Sequence, residues 1–311
     1  DTGAHPNLNN VVVGNTAGVD RNVNATVSVG YSNTVTGLVG AAYNAITGGV
    51  VIGTGNASNS SPNGVLIGAG NTSLAGYTDG AYTSVGTPRC VGVGYGNDVK
   101  GPGAIAIGDD CVADTTEVNR DGAGAITSVL TDGSCAVAIG MTATADGDST
   151  VAIGVHALAA GTYDTVIGSY EATEADGVGD RIAVGTAARA EGEGGIAIGK
   201  SAQVYETGQE GAAGPGGVLF AGRSCMALGR EATVTSGDLA LLARSTALGA
   251  GASVGHNHAT AIGADAVTTA DNQVVLGTTS DFVEFPSTFV MRSPNASRWE
   301  VSMSDVGVLT V

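Results

Sequence analysis

Glycine recurs along this chain at the ends of short apolar runs, and its spacing limits the fold more than any other feature. The stretch Ser149–Gly168, STVAIGVHALAAGTYDTVIG, shows the unit. An apolar strand closes on Gly154, Gly161 follows seven residues later, and Gly168 closes the next strand after seven more. Strand-closing glycines fall at Gly14, Gly30, Gly53, Gly68, Gly94, Gly108, Gly140, Gly154, Gly168, Gly185, Gly199, Gly229, Gly249, Gly263 and Gly277, and six of the fourteen intervals are 14 residues. A period this short and regular identifies each unit as one coil of a solenoid.

The residue before each of these glycines is Val, Ile or Leu, and two positions earlier it is again Val, Ile or Met except at Thr165, Thr246 and Thr260. The position between is mostly Ala. This period of two makes each unit a short strand with its large residues on one face and its small ones on the other. Runs such as AIAIG and AVAIG are apolar on both faces, which a strand with one solvated face would not be. The small side therefore needs a cover, and Ala138, Ala152 and Ala197 are expected to pack against neighbouring identical chains in a homo-oligomer. Gly140, Gly154, Gly168, Gly185, Gly199, Gly249, Gly263 and Gly277 are expected to supply positive φ at the corner of each coil. Gly101, Gly147, Gly161 and Gly192 would turn the chain back. Coils stacked at ~4.8 Å would then pair in parallel, fifteen to nineteen of them in one rod.

Four intervals are longer: 23 residues before Gly53, 26 before Gly94, 32 before Gly140 and 30 before Gly229. Part of each excess is expected to be coils too degenerate to recognise, and the rest loops leaving the solenoid. The predicted organisation is an N-terminal segment 1–10, a repeat domain 11–280 with insertions near 54–92, 109–136 and 200–226, and a C-terminal β module 281–311 that caps one end of the core or serves for attachment. Residues 112–133 and 203–223 are the insertions best placed for recognition, since long segments kept in a compact scaffold are often functional. The tail is set apart by composition: Phe282, Phe285, Phe289 and the single Trp299 fall there, and RWEVSMSDVGVLTV reads as strand, turn, strand.

Composition supports thin layers over a thick core. Aromatics are 4% of the chain while Gly numbers 51, and small and β-branched side chains tile a narrow interior well. With 29 acidic against 12 basic residues the net charge is −17. Nucleic acid is excluded as a partner, because its phosphates require clusters of Lys and Arg. No run of 18 apolar residues is present, so membrane insertion by a helix is not expected. Cys90, Cys111, Cys135 and Cys225 lack zinc-site spacing and are read as buried thiols filling small apolar positions.

Three motifs invite a chemical reading. Gly194–Ser201, GGIAIGKS, matches the phosphate-loop pattern in letters, but its middle is the repeat strand and no helix is expected after it. His256-Asn257-His258 would present two imidazoles on one face if extended, which makes His256 and His258 candidate metal ligands; a solvent-facing turn is the reading preferred for an isolated pair. Acidic pairs could cut polysaccharide as in glycan-degrading tailspikes, yet no spacing singles one out. No catalytic residue and no cofactor is assigned.

The recurring S/T-x-A-I-G-x-x-A-x-A-x-G, seen as STVAIGVHALAAG and RIAVGTAARAEG, resembles the head repeats of YadA-like trimeric autotransporter adhesins over roughly residues 11–277. That resemblance implies a left-handed parallel β-roll, an obligate parallel homotrimer and a surface-exposed adhesive role without enzymatic activity. The end, DFVEFPSTFVMRSPNASRWEVSMSDVGVLTV, instead looks like the ends of phage tail-fibre and head-fibre proteins, and no heptad stalk or membrane barrel is seen. The expected function is a trimeric virion fibre contacting other virion proteins and a host cell-surface glycan or protein, located on the virion surface. The alternatives are a bacterial adhesin head on the outer cell surface or a glycan-depolymerising tailspike.

Overall fold

The computed structural model describes residues 11–14, 18–19, 23–24, 26–36, 46–47, 49–59, 64–74, 78–79, 82–83, 90–101, 103–114, 117–120, 126–130, 135–147, 149–169, 171–172, 180–190, 194–206, 224–236, 244–281, 289–292, 298–303 and 309–310. Among these residues every element is a strand. One sheet has fifteen parallel strands in sequence order, from Val11–Val13 to Val274–Leu276, one for each strand-closing glycine. The register aligns glycine with glycine, as in Gly94↔Gly108, Gly108↔Gly140 and Gly140↔Gly154. A second layer runs alongside: nine short strands from Gly18–Val19 to Glu171–Ala172, then four from Arg189–Ala190 to Ser253–Val254. Each coil up to that of Gly249 thus gives one strand to each layer, the Gly263 coil adds only a single bridge from Val267 to Ser253, and the chain is a parallel β-roll. Fourteen steps of ~4.8 Å make the long sheet roughly 67 Å from first strand to last.

The long intervals hide no extra coils. Gly30 pairs directly with Gly53, Gly68 with Gly94, Gly108 with Gly140, and Ile198 with Leu228 across the interval before Gly229. The surplus is insertion, and shorter than expected. Ala57–Asn59, Val65–Ala69 and Thr72–Leu74 are roll strands inside the predicted 54–92 insertion; Val112–Asp114 and Gln203–Glu206 belong to the second layer. The roll strands before these long intervals end at Leu74, Asp114 and Glu206, and the next coil resumes its first strand at Val91, Val137 and Met226. Each of these intervals therefore opens at one seam, between the second strand of a coil and the first strand of the next. Two carry antiparallel hairpins, Thr78–Asp79 with Tyr82–Thr83 and Glu117–Arg120 with Ile126–Leu130. In the tail, Phe289–Arg292, Arg298–Met303 and Leu309–Thr310 form an antiparallel meander.

Four positions per coil face inward: four and two residues before the glycine, three and five after it. Around Gly154 these are Thr150, Ala152, Ala157 and Ala159, all fully buried. The space between the layers is narrow, so the interior is mostly Ala, with Val, Ser, Asn and Cys. Where one coil carries a larger residue its neighbour gives way: a Cβ on Gly92 would stand 2.8 Å from Leu66 Cδ2. This close fit is the packing density expected of a protein interior.

Candidate binding face and the ladders beneath it

The roll reverses the expected assignment of faces. Ala138, Ala152 and Ala197 are 0% exposed within the single chain, so their side chains meet the second layer and cannot touch another molecule. The larger residues face outward. Val137, Ile139, Val151 and Ile153 are only half-buried, while Ile107, Ile167, Leu248 and Ile262 are exposed at 37–41%. In a coil this small two rows of Ile cannot meet across the interior, and Ala can. Outside, two adjacent rows climb the long sheet, Val, Ile or Leu throughout the one before the glycine and mostly Val or Ile in the other, which Met226, Thr165, Thr246 and Thr260 interrupt; together they make a band of roughly 670 Å² if about 10 Å wide. That is just past the upper end of the roughly 300–600 Å² spanned by the largest apolar patch of a typical monomer, a size that often marks a contact surface.

The glycine ladder sits at one edge of this band. Gly140, Gly154, Gly168, Gly185, Gly199, Gly249 and Gly263 have φ between +122° and +147°, and Gly277 has φ +72°. A Cβ on Gly154 would fall on the carbonyl oxygen of Gly168, and the same collision repeats up the stack, as at Gly140 with the Gly154 carbonyl. Glycine is required here by close stacking as well as by φ.

That stacked carbonyl is satisfied in two ways. In the N-terminal coils an asparagine follows the glycine by three residues. Asn71 donates its side-chain amide to the carbonyls of Ile67 (3.1 Å) and Gly94 (3.0 Å), and its oxygen accepts from the backbone and side chain of Asn97 (3.1 and 2.9 Å). Asn33, Asn56, Asn71 and Asn97 form one buried ladder. Cys111 terminates it, its backbone N–H donating to Asn97 (3.0 Å) and its thiol to the Gly140 carbonyl (3.2 Å). Ala143 and Ala157 take the position in the next coils, and from the Gly185 coil to the Gly263 coil the alanine N–H closes a turn onto the glycine of its own coil, as from Ala202 to Gly199 (3.2 Å) and Ala232 to Gly229 (3.3 Å). Sequence reading missed this ladder, although Asn three residues after Gly30, Gly53, Gly68 and Gly94 was a usable signal.

Other predicted features separate. Val254 ends its strand, and His256-Asn257-His258 forms a turn; alternation along a strand therefore does not apply to the two imidazoles. His256 Nδ1 lies 3.1 Å from the Thr268 hydroxyl, while His258 is exposed at φ +52°. Among the described residues no group of three or more His, Cys, Asp or Glu is placed to hold a metal. Within GGIAIGKS, Ile196–Ile198 is a strand of the long sheet and Gly195 is buried, so its backbone is committed to the roll. Cys90, Cys111 and Cys225 are buried thiols, but Cys135 is exposed. Burial pushes the Cys111 and Cys225 thiols up from the ordinary range. On the second layer Lys100 sits 2.7 Å from Asp98 and 3.6 Å from Asp114. Partial burial pulls its pKa down, and the hydrogen bond and charges of those carboxylates outweigh this and hold it above the usual lysine value.

The coil geometry agrees with a comparison of sequences against protein families. Five stretches match the YadA head domain repeat: residues 136–157, 145–170, 182–202, 243–266 and 257–279. The coils between Val27 and Asp114, which carry Asn or Cys three residues after the glycine, lie outside these stretches, as does the coil from Met226 to Ser236, which carries Ala232 there. Among solved structures, the collagen-binding domain of the Yersinia adhesin YadA aligns at 17% identity over 67% of this chain and 77% of that one, with a TM-score of 0.26. A TM-score of that size does not establish a common overall shape. No curated protein matches the chain. No helix among the described residues is long and apolar enough to cross a membrane.

Proposed function

We propose that the chain is the rod of a trimeric, non-enzymatic surface fibre that attaches by contact. The observation that carries this reading is the pair of outward apolar rows along the whole long sheet. Three copies packed in parallel about one axis would cover the band at every level, because each coil presents the same residues at the same height. The interface is assigned to these Val, Ile and Leu rows. Insertions from the seam would then be displayed three at a time, and avidity would compensate for weak individual contacts. A virion fibre is favoured over a bacterial adhesin head because a composition-distinct β segment, 281–311, follows the roll and resembles the ends of phage fibres. The ligand class is a glycan or protein of a host cell surface.

Replacing Ile139, Ile153 and Ile167 together by Glu is expected to give a folded monomer by mass measurement and circular dichroism. Ala152→Glu alone is expected to abolish folding, since it buries an unpaired charge. A native chain that is a stable monomer, or a triple variant that remains trimeric, removes the proposal. Labelled protein applied to a panel of bacterial cells tests attachment, and absence of new reducing ends after incubation with their surface glycans tests the non-enzymatic reading.

A further inference from the structure

One ion pair is sealed inside the roll. Asp164 and Arg181 are 0% and 1% exposed, and each stands four residues before its glycine, in the inward column that Ala fills at Ala104, Ala136 and Ala259. The guanidinium grips the carboxylate with two nitrogens: Arg181 Nε donates to Asp164 Oδ1 (3.0 Å) and Nη2 to Oδ2. The Arg181 backbone N–H also reaches Oδ1 (3.1 Å), and the Gly161 N–H reaches Oδ2 (2.9 Å). One rung above the pair is Thr150 and one rung below it is Gly195, which has no side chain. Its position coincides with an irregularity: Gly185 follows Gly168 by 17 residues, and the nine-stranded second layer ends at Glu171–Ala172.

We propose that this pair is the register key of the roll, the element that makes the strand Thr165–Ile167 choose Ile182–Val184 as its neighbour. The alternative to be excluded is specific. The strands Ile182–Val184 and Ile196–Ile198 present nearly the same face, IAV and IAI, so either could stack on Thr165–Ile167. Choosing the second would leave the coil 180–193 outside the stack, and the direct pairing of Val65–Ala69 with Val91–Tyr95 shows that the roll closes across an interval of that size. Apolar packing distinguishes the two poorly. Asp164 distinguishes them sharply, because the wrong choice places Gly195 below it and strands a buried carboxylate without its cation. A buried polar pair used to specify register is the best-supported role for such groups.

Paired cysteines read the register directly. Ile167 and Val184 are aligned neighbours, so I167C/V184C forms an intrachain disulfide, whereas Ile167 and Ile198 are two rungs apart, roughly 9.6 Å, beyond disulfide reach. In the native background only the first pair is expected to close. With D164A/R181A added, I167C/I198C is expected to close in a substantial fraction of chains, with a matching loss of the first bridge, seen as peptide masses under non-reducing conditions. The inverted pair D164R/R181D is expected to restore the single native register. If D164A/R181A keeps only the 167–184 bridge the proposal is overturned. It is equally overturned if that variant fails to fold, since the pair would then hold the coil together rather than select its neighbour.

Discussion

Adding one methyl group at Gly154 tests the stacking logic of the roll. In Gly154→Ala the new Cβ meets two obstacles. The φ of +137° lies in a region that non-glycine residues enter at a cost of about 1–3 kcal/mol. The Cβ would also coincide with the Gly168 carbonyl oxygen, so the coils must part. The bond from the Gly168 N–H to the Ile153 carbonyl, 2.8 Å, lies beside the collision, and losing it adds about 0.5–1.5 kcal/mol. The expected total is roughly 2–4 kcal/mol. Gly55→Ala is the control: its φ is +64°, and a Cβ there meets nothing within 4 Å. Only the left-handed backbone cost applies, about 1–2 kcal/mol. Urea unfolding followed by far-ultraviolet circular dichroism, at one protein concentration because association shifts midpoints, compares the two. Equal midpoint shifts would refute the claim that stacked carbonyls, and not φ alone, demand glycine.

Asn71→Ala should lower stability by about 1–3 kcal/mol, the cost of leaving buried partners unmet, and Asn71→Cys by less, since Cys111 already fills that role; denaturant midpoints measure both. Iodoacetamide at pH 8 should label Cys135 and spare Cys90, Cys111 and Cys225 in the folded protein, a pattern peptide mapping reads. The Lys100 pKa is raised in the folded state, so its stabilisation is complete below the ordinary lysine value of about 10.4 and fades as pH rises through the folded value. The midpoint gap between the native protein and Lys100→Met, on the scale of about 0.2–1 kcal/mol for a pair still open to solvent screening, should therefore hold from pH 7 to 9 and close at higher pH.

The repeat was legible because glycine, the Val or Ile before it and the inward residue between them recur with fixed offsets, and each of the fifteen glycines found its strand. Which face is interior was not legible. Both faces of AIAIG are apolar, and the habit of placing large residues inside fails when the interior is only wide enough for Ala138 against its opposite layer. The Asn ladder and the Asp164–Arg181 pair were hidden because Asn and Asp resemble ordinary turn residues when read along the chain. Aligned by coil, both groups fall in inward columns, the four asparagines from Asn33 to Asn97 three residues after the glycine and Asp164 and Arg181 four before it. The extent of the insertions was overstated for the opposite reason: Val112–Asp114 and Gln203–Glu206 lie beyond the glycine, in the less repetitive half of the coil.

Because the described strands keep their register across the long intervals, which open after the second strand of a coil, the two dimensions of this rod can vary separately. Duplicating a coil adds height in steps of ~4.8 Å and must bring its own glycine, or the copy above has no room to sit. Lengthening a segment at the seam adds width and disturbs no rung. A lineage of such chains could therefore exchange its outer decorations freely while its stem stayed fixed. The seam after Leu74, Asp114 or Glu206 is also where a foreign peptide could be grafted with the least disturbance to the roll.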